Sequence, residues 1–148
     1  MIIQDDLKDL FRLFNEKNVE YVIVGGYAVA FHGFVRATKD IDILFHDTSE
    51  NVTRLMDALG GFGISGTLMD RDMFSKPGQI VRIGTPPLMI ELINSVGGAG
   101  FEEIWSNRIF GYYGDVGVSF ISRADLLKSK RAAGRPQDLR DIEELGGE

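Results

Sequence analysis

The chain contains no cysteine, which excludes disulfides and thiolate metal sites. It has only two histidines, His32 and His46, and their spacing suits no zinc site. No apolar run approaches the roughly 20 residues needed to cross a bilayer. The start, Met1-Ile-Ile-Gln-Asp-Asp6, lacks the basic and apolar regions of a signal peptide. These absences lead to the expectation of a cytoplasmic protein with no membrane partner. A GxxxxGK[ST] loop and a dinucleotide fingerprint are also missing, so P-loop and dehydrogenase chemistry lack support. Positive charge is in short supply: the net charge of −6 argues against bulk binding of nucleic acid.

What remains is ordinary for a globular protein, with 44% hydrophobic and 26% charged residues. A length of 148 residues predicts one domain over 1–148 with a real core. Charge is uneven. Residues 123–140 carry six basic side chains (Arg123, Lys128, Lys130, Arg131, Arg135, Arg140) and two acids, inside an otherwise acidic chain. Two readings are open: a site for a specific anion, or a solvated helix face.

Leu7, Leu10, Phe11 and Phe14 follow helical spacing and predict a first helix ending near Asn18. Tyr21–Val24 reads as a buried strand, broken by Gly25-Gly26. A short helix over Tyr27–His32 follows, stopped by Gly33. Lys39–Phe45 is a second strand. A helix capped by Thr48 or Ser49 runs to about Leu59 and stops at Gly60-Gly61. A further strand is placed near Ile64–Met69. Gln79–Ile83 and Leu88–Asn94 are strands, and Phe101–Trp105 is a helical turn. Arg108–Tyr113 and Val116–Ile121 form a hairpin around Gly114-Asp115. Ser122 with Asp125 opens a helix to Ala133 that Gly134 ends. Pro136 begins a last helix through Leu145. The mixture predicts an α+β (or α/β) domain, a mixed sheet flanked by helices.

Three features carry chemistry. Asp40 and Asp42 lie one residue apart in a strand, so both point to one face while Ile41 and Ile43 point to the other. Adjacent like charges repel, and a divalent cation such as Mg²⁺, which prefers oxygen ligands, would resolve the repulsion. Glu91 sits in the apolar run Leu88-Met-Ile-Glu-Leu-Ile93, where a carboxylate must be paired, protonated or metal-bound. It either pairs with Arg82 on a neighbouring strand or joins Asp40 and Asp42 in a two-metal site. Gly25-Gly26 is either a plain turn or a place where the backbone meets a phosphate. Arg36, Thr38 and Lys39 precede the acids. They contact phosphates, or they balance the acids and cap the strand. Tyr27, Phe31, Phe34 and Trp105 read as core or cleft wall.

Taken together, Val22-Ile-Val-Gly-Gly-Tyr-Ala-Val-Ala-Phe-His-Gly33 followed by Arg36-Ala-Thr-Lys-Asp-Ile-Asp42 resembles the nucleotidyltransferase superfamily that includes DNA polymerase β. The nearer resemblance is to small bacterial nucleotidyltransferase-like, or AbiEii-like, proteins, and the segment Lys130–Leu145 resembles their helical end. The pattern is a Gly-Gly turn, a helix, a DxD strand and a third acid on a later strand. Gly25, Gly26, Asp40, Asp42 and Glu91 fill those places in order. Two departures stand out: Gly-Gly where many members have Gly-Ser, and Glu where Asp is also frequent.

The resemblance implies a nucleotidyltransferase fold and a function. Asp40, Asp42 and Glu91 would be the catalytic and metal-binding acids for Mg²⁺. Gly25 and Gly26, with Arg36, Thr38, Lys39, Lys130 and Arg135, would bind a nucleoside triphosphate substrate. NMP would pass to an acceptor hydroxyl on a small molecule, protein or RNA. A protein partner or second copy would complete the acceptor site, for which the chain has little room. Two alternatives stand beside this: a component of a toxin–antitoxin system, and a non-catalytic nucleotide-binding module.

Overall fold

The computed structural model describes residues 4–38, 40–64, 69–85 and 88–147. Among them are seven helices and six strands. The helical spacing near the start produces α1 (Gln4–Glu16), and Leu7, Leu10, Phe11 and Phe14 are all fully buried. Each such side chain contributes about 1.5–3 kcal/mol when withdrawn from water. Then come β1 (Tyr21–Val24), α2 (Gly25–Phe31), β2 (Asp40–Phe45) and α3 (Ser49–Gly61). They are followed by α4 (Asp72–Ser75), β3 (Ile80–Thr85), β4 (Leu88–Ile93) and α5 (Phe101–Asn107). The hairpin β5 (Ile109–Tyr113) and β6 (Val116–Phe120) leads into α6 (Arg123–Ala133) and α7 (Pro136–Glu144).

The strands form one mixed sheet in the order β3-β4-β2-β1-β6-β5. β1 is antiparallel to β2 and parallel to β6, and β2 is parallel to β4. The two hairpins, β3–β4 and β5–β6, form the edges. Central strands buried on both sides explain the continuous apolar run of β1. This is the α+β architecture expected from the alternation of elements.

Local signals set most boundaries. Thr48 accepts the Asn51 N–H at the start of α3, and Ser122 accepts the Asp125 N–H at the start of α6. Gly134 takes the left-handed conformation at φ +63° and turns α6 into α7. Several elements differ from expectation; α2, for one, begins at Gly25 itself where Tyr27 was expected. α3 continues through Gly60 and Gly61, because the Phe62 N–H still reaches the carbonyls of Ala58 and Leu59. α4 was not anticipated; it is one turn long, too short for a period to register, and is anchored by the fully buried Phe74. The strand expected near Ile64–Met69 falls mostly on 65–68, outside the described residues, while Ile64 and Met69 themselves are not in a strand. No helix among the described residues is long and apolar enough to cross a membrane.

Candidate active site

The register of the sheet builds the site. Asp42 of β2 stands opposite Glu91 of β4, Glu91 opposite Arg82 of β3, and Asp42 opposite Val24 of β1. Paired residues share a face, with Cβ atoms about 5 Å apart. One row across four strands therefore reads Arg82, Glu91, Asp42, Val24. Asp40 lies two residues before Asp42 and faces the same side, while Ile41 and Ile43 are fully buried on the other. The alternation read from the sequence is the one observed.

Gly25 follows Val24 and closes this row. It has φ +66°, and a Cβ there would stand 2.1 Å from Asp42 Oδ2. A Cβ on Gly26 would stand 2.7 Å from Thr38 Oγ1. The glycines let the turn press directly on the acids and on the strand that leads to them. Gly25→Ala is expected to cost about 2 kcal/mol or more, from the strained φ and the clash together. Chemical denaturation of the variant against wild type measures it.

Asp42 is the strained member. Its Oδ1 is buried and receives no hydrogen bond. Burial, then the hydrogen bond and charge of Glu91, then the charge of Asp40, push its pKa up to about 7; Lys130 offsets part of this. Two carboxyls in hydrogen-bond contact must share a proton or a cation. Glu91 is half-buried and also accepts from Arg82, Nε to Oε1 at 2.9 Å. The expectation of a carboxylate in a fully buried strand is corrected: Glu91 opens into a cleft. Glu91 pairs with Arg82, as one reading had it, and also stands beside Asp42.

The cleft has a volume of about 510 Å³ and is lined by Gly25, Gly26, Arg36, Thr38, Asp40, Asp42, Glu91, Lys130 and Arg135. These are all the residues selected from the sequence except Lys39, which lies outside the described residues. Arg82, Gln137 and Asp138 join them. Thr38 turns its hydroxyl to the Asp40 carbonyl at 3.3 Å.

Behind the acids lies a second charged layer that the sequence reading missed in part. Lys130 is buried, with Nζ 3.1 Å from Asp138 Oδ1 and 3.0 Å from Asp141 Oδ2. Arg36 donates from Nε and Nη2 to the two oxygens of Asp141, each at 2.9 Å. Arg135 donates to Asp138 from Nε at 2.7 Å and from Nη2 at 3.2 Å. Burial works against ionisation of Asp138, but hydrogen bonds from Arg135 and Lys130 outweigh it and hold its pKa below the ordinary value. Asp141 is lowered in the same way, against burial, by Arg36, Lys130 and Gln137. Two members of the basic stretch, Lys130 and Arg135, are thus answered by two acids of α7, which Arg36 also joins. Their three-residue spacing on one helix face was the available signal.

The other singled-out residues lie elsewhere. His32 Nε2 is 2.7 Å from the Ile121 carbonyl, and His46 Nδ1 is 2.7 Å from Glu20 Oε1. Tyr27, Phe34 and Trp105 pack partly buried against the core, and Phe31 stacks on Phe120 with ring centroids 4.0 Å apart.

Among the described residues no three His, Asp or Glu side chains stand in the geometry of a preformed metal cage. The donor set nonetheless fits a hard divalent cation: all oxygen, crowded by like charge, and with one buried oxygen left without a donor.

Comparison with known proteins bears on the fold and the family. No curated protein matches the chain. A crystal structure of an antigenic nucleotidyltransferase-like protein from Paracoccidioides brasiliensis is similar in fold, with a TM-score of 0.55 at 18% identity; the match covers 96% of this chain and 74% of that one. The sequence profile that matches here extends over residues 1–146, from α1 through the cleft to α7, and by it the chain belongs to the family described as nucleotidyltransferase of unknown function (DUF6036).

Proposed function

We propose that the chain is a Mg²⁺-dependent nucleotidyltransferase that moves NMP from a nucleoside triphosphate to an acceptor hydroxyl. The observation that carries this reading is the contact of Asp42 with Glu91 across paired strands, with Asp42 Oδ1 buried and undonated. A fold gains nothing from such a pair by packing alone; a cation between the carboxylates removes the repulsion. Asp40, Asp42 and Glu91 would hold Mg²⁺, which supplies a lowered pKa for an acceptor hydroxyl and charge neutralisation at the phosphates.

The chain's own groups do the rest. Gly25 and Gly26 line the cleft with backbone pressed against Asp42 and Thr38, and would meet the triphosphate there. Arg36, Lys130 and Arg135 supply positive potential from the rear wall, held in place by Asp138 and Asp141. Thr38 edges the triphosphate end. Glu91, besides completing the metal site, would help activate the acceptor hydroxyl.

The test is incubation of the full chain with each labelled NTP, Mg²⁺ and a cell extract, beside the Asp40→Ala/Asp42→Ala variant. Label transfer that the variant lacks supports the proposal, and the labelled species names the acceptor. A labelled tRNA or partner protein would point to a toxin–antitoxin role. No transfer with any NTP, despite Mg²⁺ binding, would overturn catalysis and leave a binding module.

A further inference from the structure

We infer that Arg82 is the phosphate-gripping residue of the cleft, and that its guanidinium stands in for the divalent cation at Glu91 until metal and triphosphate arrive. The inference rests on the nucleotidyltransferase reading and goes beyond it, since Arg82 belongs to β3 and to none of the motifs that suggested the activity.

The argument starts from which cations are already engaged. Arg36 uses Nε and Nη2 on Asp141, and its Nη1 turns to the Ala37 carbonyl. Lys130 is buried between Asp138 and Asp141. Arg135 uses Nε and Nη2 on Asp138. Arg82 differs. Its single hydrogen bond runs from Nε to Glu91, its side chain is 60% exposed, and Nη1 and Nη2 have no partner among the described residues. The two free amino groups form the planar fork that matches phosphate oxygens.

Position adds the second part. Arg82 stands in the same row as Glu91 and Asp42, on the acids' side of the cleft, whereas Arg135 is tied to α7. Among the described residues it is the cation in hydrogen-bond contact with the acid cluster. A divalent cation bound by Asp40, Asp42 and Glu91 would replace the charge that Arg82 supplies and repel it. The released fork then finds its nearest anion in the phosphates of the arriving triphosphate. The exchange keeps a positive charge beside Glu91 at each stage. A plain cross-strand ion pair at a sheet edge, the structural alternative, predicts no link between metal and phosphate.

Arg82→Gln separates the two. Free Mn²⁺ is followed by electron paramagnetic resonance as the full-length protein is titrated, and inorganic tripolyphosphate with Mg²⁺ is titrated by calorimetry. Arg82→Gln is expected to bind Mn²⁺ several-fold tighter and tripolyphosphate about tenfold weaker. Arg82→Lys keeps the charge but not the fork, so it should bind Mn²⁺ like wild type and tripolyphosphate with intermediate affinity. A melting curve for each variant confirms the fold. Unchanged or weaker Mn²⁺ binding in Arg82→Gln, or unchanged tripolyphosphate binding, overturns the inference. Wild type that binds both probes while Arg82→Gln shifts neither removes the role of Arg82 alone. Wild type that binds neither probe removes the nucleotidyltransferase reading with it.

Discussion

Asp42→Asn is expected to lower Mg²⁺-dependent nucleotide transfer by about 10³-fold or more and, in the same protein, to raise the metal-free melting temperature at pH 8. The two effects have one cause. The Asp42 carboxyl is buried against Glu91, so its pKa rises from 3.8 to about 7. In the unfolded chain it ionises near the lower value; in the fold it resists. The stability contribution is therefore full below about pH 3.8 and is lost as pH rises through about 7. At about 1.4 kcal/mol per pKa unit, the loss across that window is about 4 kcal/mol. Wild type with EDTA should melt several degrees lower at pH 8 than at pH 5, while Asp42→Asn shows a flatter profile. Mg²⁺ should restore wild type at pH 8 by binding the folded state and do little for the variant. Parallel pH profiles for the two proteins, or equal stabilisation by Mg²⁺, would refute the account. Asp138 and Asp141 work in the opposite direction: their lowered pKa values add stability that fades only as pH falls below the ordinary carboxylate range.

Lys130→Met is expected to destabilise the fold by about 3–5 kcal/mol, because it leaves Asp138 and Asp141 buried with less than their full complement of positive charge. For a chain of this size that is a fall in melting temperature of about 10 °C. The loss should reach beyond the ion pair. Lys130 joins α6 to α7, and Asp141 joins α7 to Arg36 in the segment that leads to β2. The aliphatic stem of methionine fills much the same volume, so the effect reports charge more than packing. Adding Asp141→Asn to Lys130→Met should recover part of the loss, since it removes a buried charge that has lost a partner; a double-mutant cycle measures the coupling. A Lys130→Met protein that melts within a degree or two of wild type would show that the buried cluster does not hold the C-terminal helices.

Several parts of the site were legible before any fold was known, and for local reasons. Asp40 and Asp42 share a face because a strand has a period of two. Gly25 marks the end of β1 because few other residues tolerate the turn. Ser122, Gly134 and Pro136 delimit α6 and α7 through capping groups a few residues away. The spacing of Leu7 to Phe14 requires only one helix to bury its stripe. In each case the deciding neighbours lie within about four positions along the chain, so the residues themselves carry the information.

The remainder depended on neighbours brought together from far along the chain. Glu91 lies beside Asp42 because β4 docks parallel to β2 in one register. A slip of a single residue would turn every side chain of that strand to the other face. The same assembly seats Arg36 on Asp141, 105 residues away, and adds it to Lys130 and Arg135 in a paired layer behind the acids. Periodicity says nothing of such pairings, because they are set by the summed packing of the whole sheet and its helices. The sequence by itself determined which groups face which way along each strand and helix, and most of the elements that carry them. Only the tertiary structure decided which of those groups meet: that Asp42 keeps an oxygen no donor among the described residues reaches, and that Arg82 stands beside Glu91 with two donors free of any described partner.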